Sequence, residues 1–309
     1  MFPSRYELEL VEADLSKAEG WEEAVRGCTY VIHTASPFPA ENPKDENEII
    51  RPAVDGTLHI MRAAHKDGGV KRVVLTSSVA AVSKGFSGGS RKYTEADWTD
   101  TSQPMDAYLK SKTLAERAAW DYLKDLPENE KFELSVINPV LVMGPCLCGT
   151  VTTSMSVLQR YIDHTMSGVP RVSLPCVDVR DVASAHVRAM TLPAAASQRH
   201  ILFTENLWMS EIGKILEKEF KPLGYKIPTG TVPKALVIMG SWFDKSIRPI
   251  IPTIDKVTDF ENFRMQNILG INPIGMNKSL LDMAYSMIDA GHAKKTDQYQ
   301  QAYPDGKKI

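Results

Sequence analysis

The chain has few of the features that mark membrane, secreted or metal-binding proteins. Its 309 residues include only four cysteines, too few for a disulfide scaffold and in no metal-ligand pattern with nearby histidines. No stretch reaches the roughly 18 apolar residues of a transmembrane helix. Residues 1–9 carry three charges and lack the apolar segment of a signal peptide. We therefore expect free thiols, no metal, no membrane association and a cytoplasmic location.

An excess of charge of one sign is also missing. The 36 basic and 38 acidic residues give a net charge of −2, so we expect no nucleic-acid partner. With 43% hydrophobic and 24% charged residues, the composition is that of an ordinary globular protein. A chain of this length buries a sizeable core.

The first half of the chain alternates the patterns of strands and helices. Runs of alternating or β-branched residues predict strands at residues 7–15, 29–35, 71–78 and 132–144. Glycine stops and apolar steps of three or four residues predict helices at residues 20–27, 46–65 and 105–123. This rhythm predicts a parallel sheet covered on both faces. It breaks after Gly144, where residues 151–168 and 210–223 are predicted helices and 199–203 is a late strand.

A tyrosine and a lysine four residues apart, Tyr108 and Lys112, share one face of a predicted helix. A lysine charge one turn away favours the phenolate and so eases proton exchange by a tyrosine. Alone, this spacing is more often a surface pair on an amphipathic helix. Ser77 and Ser78 strengthen the interpretation, because they end a buried strand where open α/β sheets bind ligands.

Two other predicted strands also end in residues that could border a bound cofactor. Residues 31–37 (VIHTASP) end in small side chains that would let a flat cofactor lie against the backbone, and residues 138–145 (NPVLVMGP) end the next strand. Each feature alone is explained by turn chemistry, core packing or a strand stop. Their order and shared placement at strand ends predict a site.

Taken together, these stretches resemble the extended short-chain dehydrogenases/reductases. Within that family the chain is most similar to the branch of dihydroflavonol, cinnamoyl-CoA and methylglyoxal reductases. The motifs that carry the resemblance are residues 11–15, 31–37, 48–64, 72–82, 108–119, 138–145, 177–186 and 260–273. The resemblance covers nearly the whole chain.

The resemblance implies a role for each matched position. Tyr108 would be the general acid, Lys112 would lower its pKa and hold the nicotinamide ribose, and Ser78 would bind the substrate carbonyl. The remaining positions would contact the cofactor: Asp14 and Leu15 at the adenine, Thr34, Ala35 and Ser36 along the adenosine and pyrophosphate, Ser77 beside Ser78, and Pro139 and Val142 at the nicotinamide. NADP is the implied cofactor, and NAD remains possible.

The chain departs from the family pattern at its beginning. The family opens with a strand and a glycine-rich turn that grips the pyrophosphate, and the sequence has no such segment. We therefore expect a doubly wound parallel, Rossmann-like α/β sheet that lacks its first strands. Residues 1–145 would form an incomplete dinucleotide-binding domain, and residues 146–309 a smaller substrate lobe plus the last strands of the sheet.

The predicted function is NADPH-dependent reduction of a small aldehyde or ketone. Two alternatives stay open at this point: a nucleotide-sugar epimerase or dehydratase of the same superfamily, and a non-catalytic truncated member that serves in binding or structure. The expected partner is a small carbonyl compound, and the expected assembly is a monomer or a homodimer.

Overall fold

A computed structural model of the chain describes residues 8–37, 43–83, 91–147, 149, 151–243 and 250–307. The helices of these residues are α1 (Trp21–Val25), α2 (Asn47–Asp67), α3 (Ala107–Asp125), α4 (Thr153–Ile162), α5 (Val179–Thr191), α6 (Met209–Phe220), α7 (Lys234–Phe243), α8 (Met276–Asp289) and α9 (Asp297–Ala302). The strands are β1 (Tyr30–His33), β2 (Arg72–Thr76), β3 (Lys92–Tyr93), β4 (Glu133–Pro139), β5 (Leu141–Met143), β6 (Val169–Pro170), β7 (Ser173–Asp178), β8 (Gln198–Leu202), β9 (Glu205–Trp208), β10 (Thr231–Val232) and β11 (Asp259–Phe260).

A four-stranded parallel sheet forms the centre of the fold, in the order β1-β2-β4-β8. Its strands are apolar on both faces, as in a parallel sheet covered by helices. On one face, Val73 and Leu75 pack with apolar residues of α2 and α3. On the other face, Val74 packs with α5 and with the segment after β11. This layering confirms the predicted fold class.

The segment before α1 differs from the prediction. Residues 8–15 contain no strand, and Leu8 and Leu10 are 80% and 87% exposed. An alternating pattern makes a strand only where a neighbour completes the hydrogen bonds, and β2 is the only strand paired with β1 among the described residues. Leu15 instead packs on α2, where the hydrogen of Gly56 leaves room for it: a Cβ there would lie 2.4 Å from Leu15 Cδ2.

The predicted strand at residues 132–144 is divided between two sheets. β4 ends at Pro139, and the chain then enters β5, which pairs with β7 in a second sheet of order β5-β7-β9. Proline has no N–H to donate, so the ladder changes partner there. A separate apolar core lies beyond this crossing and joins β5, α4, α6, α8 and α9.

Most of the other predicted elements agree with the structure within a few residues, but the helix predicted at residues 151–168 is shorter, because α4 ends at Ile162. Gly27 ends α1 with a positive φ of 72°, and β8 returns the chain to the central sheet beside β4. In the described part of the chain, no helix is long and apolar enough to cross a bilayer.

Candidate active site

Helix α3 begins so that Tyr108 and Lys112 face the end of the central sheet. Asp106 caps the helix, because its carboxylate Oδ1 accepts a hydrogen bond from the Tyr108 amide at 2.8 Å. Tyr108 therefore sits in the first turn and Lys112 one turn later.

The serine pair follows β2 directly. The chain is extended at Ser78, whose Oγ accepts a hydrogen bond from the Ala80 amide at 3.2 Å and so starts a short 3₁₀ turn. The Ser78 hydroxyl also forms a hydrogen bond with the phenol of Tyr108. Two predicted site residues that are 30 positions apart in sequence thus meet at the carboxyl end of β2.

Lys112 is buried beside the tyrosine. Only 8% of the residue is exposed, and its Nζ lies 5.8 Å from the centre of the Tyr108 ring. Burial lowers the pKa of Lys112 to about 8, since removal from water disfavours the charged form. The ammonium is therefore mostly charged at neutral pH and close to its point of proton loss.

Tyr108 remains protonated at neutral pH. Burial raises the pKa of Tyr108 above its ordinary value, the hydrogen bond from Ser78 acts in the opposite direction, and the charge of Asp106 raises it further. A neutral phenol is the form that donates a proton.

His33 lies at the end of β1 and acts as a core residue. It is 4% exposed, and its ring packs edge-on against Trp21 with centroids 6.1 Å apart. Burial and the nearby charge of Lys112 lower the pKa of His33 to about 4, so the ring is neutral at pH 7.

A small cavity lies beside these groups, at the carboxyl ends of β1 and β2. Its lining residues are Ala35, Ser36, Thr57, Leu75, Thr76, Ser77, Lys112, Ala115 and Glu116. Four of the predicted cofactor positions thus line one cavity. The cavity is about 10 Å³, the size of one water molecule, and its lining of small and hydroxyl side chains is of the kind that contacts a ribose.

The other positions predicted to contact the adenosine side lie towards the surface. Thr34 is exposed after β1, and Asp14 is exposed in the turn before α1. The Asp14 carboxylate accepts hydrogen bonds from the Ser16 amide and hydroxyl at 2.9 and 2.8 Å, which lower the pKa of Asp14. Leu15 covers Gly56 of α2.

Pro139 and Val142 lie where the chain crosses between the sheets. Pro139 is the last residue of β4 and follows Asn138, whose side chain donates to the Ser78 carbonyl at 3.1 Å. Val142 pairs with Val177 in the second sheet. Pro139 therefore follows a residue that contacts the Ser78 carbonyl, and Val142 lies in the second sheet.

Sequence reasoning missed a buried polar network behind the serine pair. Glu116, 1% exposed, accepts hydrogen bonds through Oε2 from Ser77 Oγ at 2.5 Å and from Asn138 Nδ2 at 2.8 Å. Its Oε1 pairs with Arg199 Nε at 2.6 Å. The sequence places Glu116 four residues after Lys112 on the same helix face, but it does not link Glu116 to Arg199, which lies in the mixed strand QRHIL.

The described residues contain no candidate metal site. Nowhere among them do three or more His, Cys, Asp or Glu side chains come together so that they could bind a metal ion. Cys148, the second cysteine of the Cys-x-Cys sequence, lies outside the described residues.

Comparison with known proteins supports the family resemblance. Residues 2–202 match the model of the NAD dependent epimerase/dehydratase family. A cinnamoyl-CoA reductase of Medicago truncatula is 36% identical over 225 residues, which make up 70% of this chain and 66% of that protein. The NADPH-dependent methylglyoxal reductase of Saccharomyces cerevisiae is 32% identical over 246 residues, 73% of this chain and 72% of the yeast protein.

Solved structures give the same result. The Gre2 protein of Candida albicans in complex with NADPH has a TM-score of 0.74 and 28% identity, with coverage of 90% of this chain and 82% of that one. The vestitone reductase of alfalfa, at 22% identity and a TM-score of 0.67, shares the fold. The chain therefore belongs to the NAD dependent epimerase/dehydratase family, the extended short-chain dehydrogenases/reductases, and the predicted NAD(P)-dependent oxidoreductase is confirmed at the level of that family.

Proposed function

We propose that the chain is an NADPH-dependent reductase of a small aldehyde or ketone, with Tyr108 as the proton donor. The observation that carries the proposal is the meeting of the Tyr108 phenol with the Ser78 hydroxyl, with the Lys112 ammonium beside the ring. A proton donor, a hydrogen-bond donor and a positive charge are what the oxygen of a carbonyl needs as it gains charge.

The cavity beside these groups supports NADP as cofactor. Ala35 and Ser36 would lie along the cofactor backbone, and Lys112 would hold the hydroxyls of the nicotinamide ribose. Ser77 already donates its hydroxyl hydrogen to Glu116, so its oxygen is left to accept from a ribose hydroxyl. The yeast relative named as NADPH-dependent, and the NADPH complex of the Candida protein, favour NADP over NAD.

Each residue would have a defined part in the reaction. Bound NADPH supplies a hydride to the carbonyl carbon. Ser78 orients the carbonyl through its oxygen, and Tyr108 transfers its phenolic proton to that oxygen. Lys112 stabilises the phenolate that remains, so the proton can be replaced from solvent.

The proposal is tested by NADPH titration and by turnover. Nicotinamide fluorescence reports binding, and loss of absorbance at 340 nm with a panel of aldehydes and ketones reports reduction. Tyr108→Phe should lower turnover by about 10²- to 10⁴-fold, with the NADPH dissociation constant within about threefold of wild type.

Three other outcomes would count against the proposal. Full turnover by Tyr108→Phe would remove Tyr108 as the proton donor. Absence of NADPH binding at millimolar concentration would favour a non-catalytic member. Turnover of a nucleotide sugar without net NADPH oxidation would favour an epimerase or dehydratase.

A further inference from the structure

We propose that Glu116, held by Arg199, is a positioning residue that fixes the serine turn against the helix carrying Tyr108 and Lys112. The serine turn is Ser77 and Ser78. This inference rests on the proposed function and concerns two residues that do not contact the reacting groups in the described structure.

The Glu116 carboxylate ties three elements together. It lies on α3, two turns after Tyr108 and one turn after Lys112. Its Oε2 holds the Ser77 hydroxyl, which follows β2, and the side chain of Asn138 in β4. Asn138 in turn donates to the Ser78 carbonyl at 3.1 Å. Both serines are thus linked to the catalytic helix through one carboxylate.

Arg199 compensates the negative charge of the buried Glu116 carboxylate. The guanidinium pairs with Glu116 at 2.6 Å, and its other nitrogens donate to the carbonyls of Glu95, Asp97 and Ala81 at 2.9, 2.6 and 3.3 Å. It also stacks 3.9 Å from the centre of the Trp98 ring. These contacts restrict the Arg199 side chain, and the guanidinium in turn fixes the position of the Glu116 carboxylate.

The Glu116–Arg199 ion pair also affects where the Lys112 ammonium lies. Lys112 and Glu116 are four residues apart on α3, which is the spacing of helix ion pairs. Because Arg199, Ser77 and Asn138 already occupy the carboxylate, the ammonium faces Tyr108 instead. The network therefore sets both the placement of Ser78 and the availability of Lys112.

Small errors in placement are costly for catalysis. A displacement of about 1 Å caused by a change away from the reacting atoms can lower turnover by about a hundredfold. Loss of the tie should therefore lower kcat of the folded protein. A purely structural ion pair would instead lower the amount of folded protein and leave kcat unchanged.

Two double variants separate positioning from charge. Glu116→Leu/Arg199→Met replaces the ion pair by apolar side chains, an exchange that buried pairs often tolerate without loss of stability. Glu116→Gln/Arg199→Met also removes both charges but keeps an amide oxygen that accepts from Ser77 and Asn138. Both variants should fold, and they differ in the tie to the serine turn.

We expect kcat of the apolar variant, per folded molecule, to fall by about ten- to a hundredfold. The polar variant should recover most of that loss. Equal activity of the two variants, whether both are active or both impaired, would overturn the proposal.

A control uses a buried arginine at the opposite end of the same sheet, whose acidic partner is half exposed. Arg72 is 4% exposed, pairs with Glu133 at 2.6 Å and donates to the carbonyls of Ala189 and Leu192. Arg72→Met should lower the midpoint of thermal unfolding and leave kcat per folded molecule unchanged. A loss of kcat as large as that of the apolar variant would show that any buried arginine of the sheet has this effect, and would refute the special role of Glu116.

A second readout separates this proposal from the proposed function. The NMR signal of Tyr108 labelled at Cζ, assigned with Tyr108→Phe, reports the contact with Ser78 without turnover. It should shift in the apolar variant and return towards wild type in the polar one, even if wild type reduces none of the carbonyls offered. An unchanged signal in the apolar variant would refute the positioning role, whereas an inactive wild type would refute only the proposed reaction.

Discussion

Replacement of Lys112 by methionine should stabilise the protein at neutral pH. Lys112 is 8% exposed, and burial lowers its pKa from 10.5 to about 8. Each tenfold change in a protonation equilibrium is worth about 1.4 kcal/mol, so holding this ammonium in the folded state costs about 3 kcal/mol. Methionine fills a similar volume without a charge.

The stabilisation gained by Lys112→Met depends on pH. Between pH 8 and 10.5 the unfolded chain binds the lysine proton and the folded chain does not, so wild-type stability rises with pH in that window. The advantage of Lys112→Met should therefore be about 3 kcal/mol at pH 7 and about 1 kcal/mol at pH 9.5.

Urea unfolding of both proteins at the two pH values measures this difference. The same variant should lose turnover, because the charge beside Tyr108 is gone. A Lys112→Met variant that is less stable than wild type at pH 7, or whose advantage does not shrink at pH 9.5, would refute the reasoning that burial without an ion pair sets the pKa of Lys112.

Two further changes test the surroundings of the site. Asp106→Asn keeps the helix cap but removes a charge that raises the pKa of Tyr108, so the pKa of Tyr108, followed by the NMR signal of its labelled Cζ, should fall; Asp106→Ala should in addition cost about 1 kcal/mol of stability. A pKa of Tyr108 that rises in Asp106→Asn would contradict this assignment. Gly56→Ala places a Cβ 2.4 Å from Leu15 Cδ2, so overpacking of about 1–3 kcal/mol should outweigh a helix-propensity gain of about 1 kcal/mol in urea unfolding. A more stable Gly56→Ala protein would show that Leu15 moves freely.

The sequence predicted best what depends on short stretches of chain. β1 and β2 contain β-branched residues and their patterns indicate strands directly, although only β2 is almost fully buried and β1 is partly exposed. The strand expected at residues 7–15 was wrong for its described part, because a strand needs a partner as well as a pattern. Tyr108, Lys112 and Ser78 could be predicted together because family motifs join them, although their contact is a property of the fold.

The network around Glu116 shows what local patterns miss. Arg199 is 83 residues from Glu116, and only the pairing of β8 beside β4 brings the two together. Ser77 was expected to contact the cofactor, and its hydrogen bond to Glu116 adds a constraint that no short motif shows. Such long-range contacts follow from topology and could not be derived from spacing.

The most direct test of the account follows the hydride itself. The protein is incubated with NADPH that carries deuterium at both hydride positions of nicotinamide C4 and with an aldehyde, and the alcohol is analysed by mass spectrometry. We predict deuterium at the carbinol carbon, formed at least about a hundredfold more slowly by Tyr108→Phe. Absence of deuterated alcohol from the wild-type protein, or equal rates from the two proteins, would contradict it.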